Sequence, residues 1–193
     1  MRNISEVLAE IDQINKQDPR REAYEGVDMP KEYVYSLRMT EMMDSHYPEA
    51  DELLKIAARG QHIKRWVIPR DEYPMDRKGY LQWRTKLKLM HGQLLTEIMQ
   101  RHGYSIAETK KVADLVAKKK LHTDENAQKL EDIVCLVFLK YYFDDFAKQH
   151  PEEKVVDILR KTWKKMSEKG KEMAMELKLS EGAQRLIGTA LSS

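Results

Sequence analysis

The segment Leu130-Glu131-Asp132-Ile133-Val134-Cys135-Leu136-Val137-Phe138-Leu139 decides the fold. Apolar side chains cover nearly every side of it and continue to Phe146. Between Thr123, a cap residue, and His150-Pro151, a stop signal, the run has the length of a helix rather than of a strand. A helix apolar nearly all round is a buried, central one.

The segments around it carry the same period. Ser105-x-x-Glu108 spells a capping box for the preceding helix. Upstream, a helix runs from about Lys78 to Arg101 and stops at Gly103. Ile4, Val7, Leu8, Ile11 and Ile14 mark a first helix ended by Asp18-Pro19, and residues 19–29 read as a loop. Pro30 suits the first turn of a second helix, through Val34, Leu37 and Met42 to near His46, because its missing N–H would be unpaired there anyway. Pro48 opens a third, through Leu53, Leu54, Ala57, Ala58 and His62. Residues 67–77, with Pro69 and Pro74, read as a long functional loop. Downstream, Pro151 starts a helix through Val155, Ile158, Leu159 and Trp163, and one or two short helices follow. No segment alternates cleanly with period 2. The expectation is an all-α fold, one domain over residues 1–193 with about seven to nine helices.

Composition agrees. Of 193 residues, 41% are apolar and 34% charged, and only 8 Gly and 6 Pro punctuate the chain, too few for many short strands. The single cysteine, Cys135, excludes an internal disulfide framework and a multi-thiolate zinc site. Its setting among Val134 and Leu136 reads as a small buried hydrophobe. The N-terminus has no apolar signal stretch, and no run reaches the length of a membrane span, so a cytoplasmic location without membrane contact is expected. Net charge is +2, but residues 55–90 hold ten Lys and Arg against Asp71, Glu72 and Asp76. A concentrated positive region on a near-neutral chain points to an anionic partner.

Polar residues on apolar stripes are the candidates for chemistry. His91 shares a helix face with Leu87, Leu94, Leu95 and Ile98, and His62 follows Leu54 and Ala58 at steps of four. Glu131 and Asp132 lie more than a turn inside the central helix, where an ionised carboxylate needs a cation or a metal beside it. The bland readings are satisfied core histidines and an ion pair from Asp132 to Arg38 or Arg59. Two such histidines and an acidic pair on three helices also match the way bundles build metal sites. A second constellation is basic and aromatic: Arg59, Gln61, Arg65, Trp66, Arg77, Trp83 and Arg84, with Lys118 and Lys119 as further candidates. Arg forks onto phosphate and Trp stacks on bases, which suits a nucleotide or RNA, against a plain solvated basic face with buried Trp. No Walker-type phosphate loop, dinucleotide fingerprint or His-Glu-x-x-His is present.

The segment from Glu52 to His62 resembles the helix bearing the His-Asp pair of HD-domain metal-dependent phosphohydrolases. His91 resembles their downstream histidine, and Leu130-Glu131-Asp132 the segment with their last metal-binding Asp. His62 is followed by Ile63 rather than Asp, and no histidine stands near 35–38, so a one-metal site or a metal-free phosphate pocket is what that resemblance leaves. Over nearly its whole length the chain also resembles an uncharacterised bacterial and fungal family, through Gln61-His62-Ile63-Lys64-Arg65-Trp66, Tyr73-Pro74-Met75-Asp76-Arg77 and Leu130–Leu139. Some fungal members carry a glutamyl-tRNA synthetase label, although nothing in this sequence resembles a synthetase catalytic domain.

The resemblance implies an HD-like core over about 30–150, with 151–193 packed on it, and a divergent phosphohydrolase acting on a nucleotide or other phosphate ester. His62, His91 and Asp132 would hold one divalent metal ion, Glu131 would serve as base or support the metal ligands from behind, and Arg59, Arg65, Arg77 and Arg84 would neutralise the phosphate. The alternatives are a non-catalytic nucleotide- or RNA-binding helical protein and a helical interaction protein whose apolar excess feeds a homo-oligomer interface.

Overall fold

In a computed structural model that describes residues 2–192, the chain is all-α with one short hairpin. Its residues fall into two compact units, 1–119 and 120–193. The boundary lies inside the span 30–150 expected for an HD-like core.

In the first unit, α1 (Ile4–Asn15) is capped by the Asn3 side chain and buries Val7 and Ile11. The segment read as a loop is instead an antiparallel hairpin, β1 (Arg21–Tyr24) and β2 (Val27–Pro30). Glu25 and Gly26 both take positive φ, 49° and 80°, as a two-residue primed turn requires. Four-residue strands of mixed burial leave no alternation long enough to read. Helix α2 (Lys31–His46) follows directly. Pro30 supplies no side-chain cap, and Asp18 supplies it from outside: its Oδ2 accepts the Glu32 N–H at 3.0 Å.

Helix α3 (Glu52–Arg59) starts four residues later than Pro48 suggests, because Asp51 is the cap, accepting from Leu54 N at 2.8 Å. It ends at Gly60, before His62, which lies in the following turn. A Cβ on Gly60 would sit 2.4 Å from Leu95 Cδ2, so glycine permits the end of α3 to lie against α4 (Arg77–Arg101). Between them run two short 3-10 turns, Arg65–Val67 and Arg70–Glu72. Asp76 caps α4 through Gly79 N. The predicted capping box of α5 (Ile106–Val116) is present, Ser105 and Glu108 exchanging both bonds. Val34, Leu54, Ile63, Leu95 and Val112 are fully buried. Each contributes about 1.5–3 kcal/mol relative to exposure.

In the second unit, Asp124, one residue beyond Thr123, caps α6 (Glu125–Val137). The predicted long helix then loosens into a π-helical stretch, Phe138–Tyr142, before α7 (Phe143–Lys148). Pro151 opens α8 (Glu152–Lys165), and serines 167 and 180 cap α9 (Glu168–Glu176) and α10 (Glu181–Leu191). Among the described residues no helix is long and apolar enough to cross a membrane.

Candidate functional site: a cation-walled cleft

Two turns of backbone build the site in the first unit. After α3 the chain turns through Gly60 and Gln61 to His62 and then enters the left-handed region at Lys64, φ 56°. The buried Asn15 side chain anchors that turn, its Oδ1 accepting Lys64 N–H at 3.1 Å. The result points His62 and Arg65 the same way. The second turn closes α5: Lys118 stands at φ 58°, in the left-handed position that usually ends a helix with glycine. A lysine there costs about 1–2 kcal/mol, and it brings Lys118 to the same place.

These turns and one face of α4 line a narrow cleft of about 20 Å³, formed by Gln61, His62, Arg65, Arg84, Leu87, Lys88, His91, Val116 and Lys118. That is the scale of about one or two water-sized atoms. Four of the nine residues are cationic and none is a carboxylate. The Oε1 of Gln61 and the Nε2 of His91 are buried without a hydrogen-bond partner, although Gln61 and His91 are only 5% and 4% exposed. Buried polar atoms normally have partners, so orphans in a cleft wall suggest a ligand-facing role.

His62 is the centre of the arrangement. Its ring stacks on Tyr35, centroids 3.9 Å apart and nearly parallel, and lies 6.2 Å from the His91 ring. Arg65 Nη1 lies 2.9 Å from Nε2 and 3.3 Å from Nδ1. On the other side Nδ1 is 3.4 Å from Oε2 of the buried Glu32. Near-equal distances to both ring nitrogens place the Arg65 guanidinium over the face of the imidazole rather than on the Nε2 lone pair. Glu32 is itself held by Arg20 Nη2 at 2.7 Å, and Arg20 forks onto Asp18 at 3.0 Å. Burial first, and then Arg65, Arg84, Lys118 and Arg20, hold the His62 pKa well below its ordinary value. The ring keeps 19% of its side-chain surface open, while protein crowds its remaining sides. Burial, assisted by His62 and Arg65, brings His91 down to about 3. Both rings are therefore neutral near pH 7.

The other sequence candidates are placed as follows. Arg59 forks onto Asp12, both bonds 2.7 Å, and donates to Thr40, so its guanidinium is structural rather than substrate-facing. Trp83 is buried, donates to the Ile68 carbonyl at 2.8 Å and lies under the Arg65 guanidinium. Its face is taken by a cation rather than open to a base. Trp66 is half-buried and does not line the cleft. Arg77 lines an open groove with Tyr73, Leu81 and Leu89 instead. Lys119 pairs with Asp114 at 2.7 Å.

Glu131 and Asp132 are buried in the second unit. Asp132 accepts from Ser167 N at 2.8 Å, Ser167 Oγ at 2.5 Å and Gln128 Nε2 at 3.0 Å. Its carboxylate thus anchors the start of α9, and neither Arg38 nor Arg59 is needed as its partner. Among the described residues no group of three or more His, Cys, Asp or Glu could hold a metal ion. The cleft also fits a cation poorly, since His62 already faces Glu32 and Arg65 and four cationic side chains would repel the newcomer. Glu32, Tyr35 and Lys88 were not legible as site residues. The one available signal was Glu32 in the first turn of a helix, a place that acids occupy for capping reasons alone.

Fold and cleft together define an all-α protein with a cation-walled cleft in its first unit. The chain belongs to the family described as Domain of unknown function (DUF4202), whose profile matches residues 5–187. No curated protein and no solved structure matches it.

Proposed function

We propose that this protein binds a phosphate ester, a nucleotide or similar small molecule, with the phosphoryl group in the cleft. The observation that carries this reading is the wall itself: Arg65, Arg84, Lys88 and Lys118 converge with no carboxylate among the lining residues. An anion entering this cleft meets positive charge on several sides. Guanidinium groups grip oxyanions through paired N–H donors. The cleft's size admits an oxygen or two of a tetrahedral group, leaving the remainder of the ester at the mouth. The resemblance to HD phosphohydrolases points to the same ligand class, and the binding needs no metal.

Calorimetric titration of the full chain with inorganic phosphate and a nucleoside monophosphate tests this. Binding unaffected by chelator is expected, weakened about ten- to a hundredfold in Arg65→Ser or Arg84→Ser, the worth of a charge-assisted hydrogen bond. No binding by the folded wild type, or equal binding by both variants, would remove the reading.

A further inference from the structure

Resting on the phosphate-ester reading, we infer that the ester is the phosphorylated end of a single-stranded nucleic acid, its terminal phosphate in the cleft and its chain along α4. From Arg77 to Thr96 this helix carries Arg77, Lys78, Arg84, Lys86 and Lys88 and no aspartate or glutamate. Arg77, Arg84 and Lys88 fall on one face of the helix, a stripe about 16 Å long. Arg84 and Lys88 wall the cleft, and Arg77 lines the open groove beside it with Lys78 and Lys86. Leu81 and Thr85 of the groove each stand one turn before Arg84 and Lys88 of the cleft, so groove and cleft adjoin on the helix surface.

The placement runs against the helix's own electrostatics. A helix N-terminus favours acids, yet the first turn of α4 has none and opens with Arg77 and Lys78. A polyanion lying over them gives those charges a favourable partner. Asp71, Glu72 and Asp76, on the preceding loop, line neither groove nor cleft, and Asp76 is committed to the cap at Gly79. Arg70 pins that loop, donating to the carbonyls of Tyr73 at 3.0 Å and Asp76 at 3.3 Å, so the groove stands before a ligand arrives. The stripe follows one backbone and has room for about three to five nucleotides. Its floor suits an unpaired strand: Leu81 and Leu89 are 53% and 67% exposed, and with Tyr73 they offer apolar surface on which bases can lie. A duplex keeps its bases stacked inside and would leave that surface wet. An acidic peptide would answer the groove's charge but has no phosphoryl group for the cleft.

The test titrates the full chain calorimetrically with uridine monophosphate, and with hexauridylate and hexathymidylate carrying a 5′-phosphate, a 3′-phosphate or neither. A phosphorylated hexamer should bind about thirty- to a hundredfold tighter than the monophosphate at about 50 mM salt, and that gain should fall about tenfold by about 200 mM, as counterion release from about three further phosphates requires. Loss of the terminal phosphate should weaken the hexamer about tenfold or more. Arg77→Gln, Lys78→Gln and Lys86→Gln together, all at exposed positions, should erase the gain while inorganic phosphate binds as in the wild type. Tighter binding of either hexamer supports the inference, and the better one names RNA or DNA as the source. A hexamer no tighter than the monophosphate, a gain that survives the triple variant, indifference to the terminal phosphate, or hexaglutamate binding as tightly as the hexamer would overturn the inference and leave the phosphate reading standing. Failure of inorganic phosphate to bind would instead remove both.

Discussion

The Nδ1 atom of His62, in the segment that joins α3 to α4, lies 3.4 Å from Oε2 of Glu32 in the first turn of α2. That pair links two sides of the first unit with opposite electrostatics. Asp18, Arg20 and Glu32 form a closed ion-pair network behind the ring, while Arg65, Arg84, Lys88 and Lys118 stand in front of it without a carboxylate in the wall. The histidine stands between the ion-paired acids and the cationic wall.

Lys118 should show a trade between stability and binding. Replacing it with glycine relieves the left-handed strain at φ 58° and should raise unfolding free energy by about 0.5–1 kcal/mol. The same change removes a wall cation and should weaken phosphate binding several-fold. Chemical denaturation and calorimetry on Lys118→Gly check the two signs; a variant that loses stability or keeps full affinity contradicts the placement.

Arg59 should behave in the opposite way. Arg59→Ala leaves the mostly buried Asp12 carboxylate, 17% exposed, without its fork, at a cost of about 2–3 kcal/mol after allowance for residual solvent. Phosphate affinity should be unchanged in the folded protein. A marked loss of affinity at constant fold would return Arg59 to the ligand site.

Asp132→Ala should destabilise the protein by about 2–4 kcal/mol, because Ser167 N–H, Ser167 Oγ and the Gln128 amide lose an acceptor together. Thermal unfolding measures it, and hydrogen exchange should locate the loosening at the start of α9. A neutral outcome would mean that Asp132 anchors nothing.

The lowered pKa values fix a pH dependence. Because His62 and His91 are neutral in the folded cleft, the unfolded chain binds more protons below about pH 6.5. The stability this represents is present above that value and is lost as pH falls, progressively down to about 3 for His91. Sulfate keeps its charge across this window and favours protonated rings in the cleft. Its affinity should therefore rise only as pH falls below about 5 toward the His91 value of about 3, while Tm without sulfate falls from about pH 6.5 downward. Sulfate binding that does not strengthen as pH approaches the His91 value of about 3 in the folded protein would show that neither ring faces the anion.

Much of this architecture was readable from periodicity and caps. Ser105 and Glu108 announced their box, and the stripe through Leu87 and Leu95 placed His91 inward. What escaped has physical causes. The hairpin at 21–30 is too short to alternate, and its turn shows only as Glu25-Gly26. His62 continued the α3 spacing in sequence but lies past Gly60, where the helix has ended. Asp132 looked like a buried carboxylate in need of a cation, but it is satisfied by a serine cap 35 residues away, a partner that no local pattern encodes. Arg59 and Arg65 belong to one basic run, and only the third dimension sends one to Asp12 and the other to His62. Lys118 was legible as a cation, while the left-handed turn that brings it to the cleft was not.

The most direct measurement is a nitrogen-detected NMR titration of the histidine rings with inorganic phosphate, in the wild type and in Arg84→Ser. The cleft reading predicts saturable shifts at both His62 and His91, at one common ligand concentration, with the remaining four imidazoles little changed and the midpoint moved to higher phosphate in the variant. Shifts that bypass both rings, or that appear equally in Arg84→Ser, would contradict it.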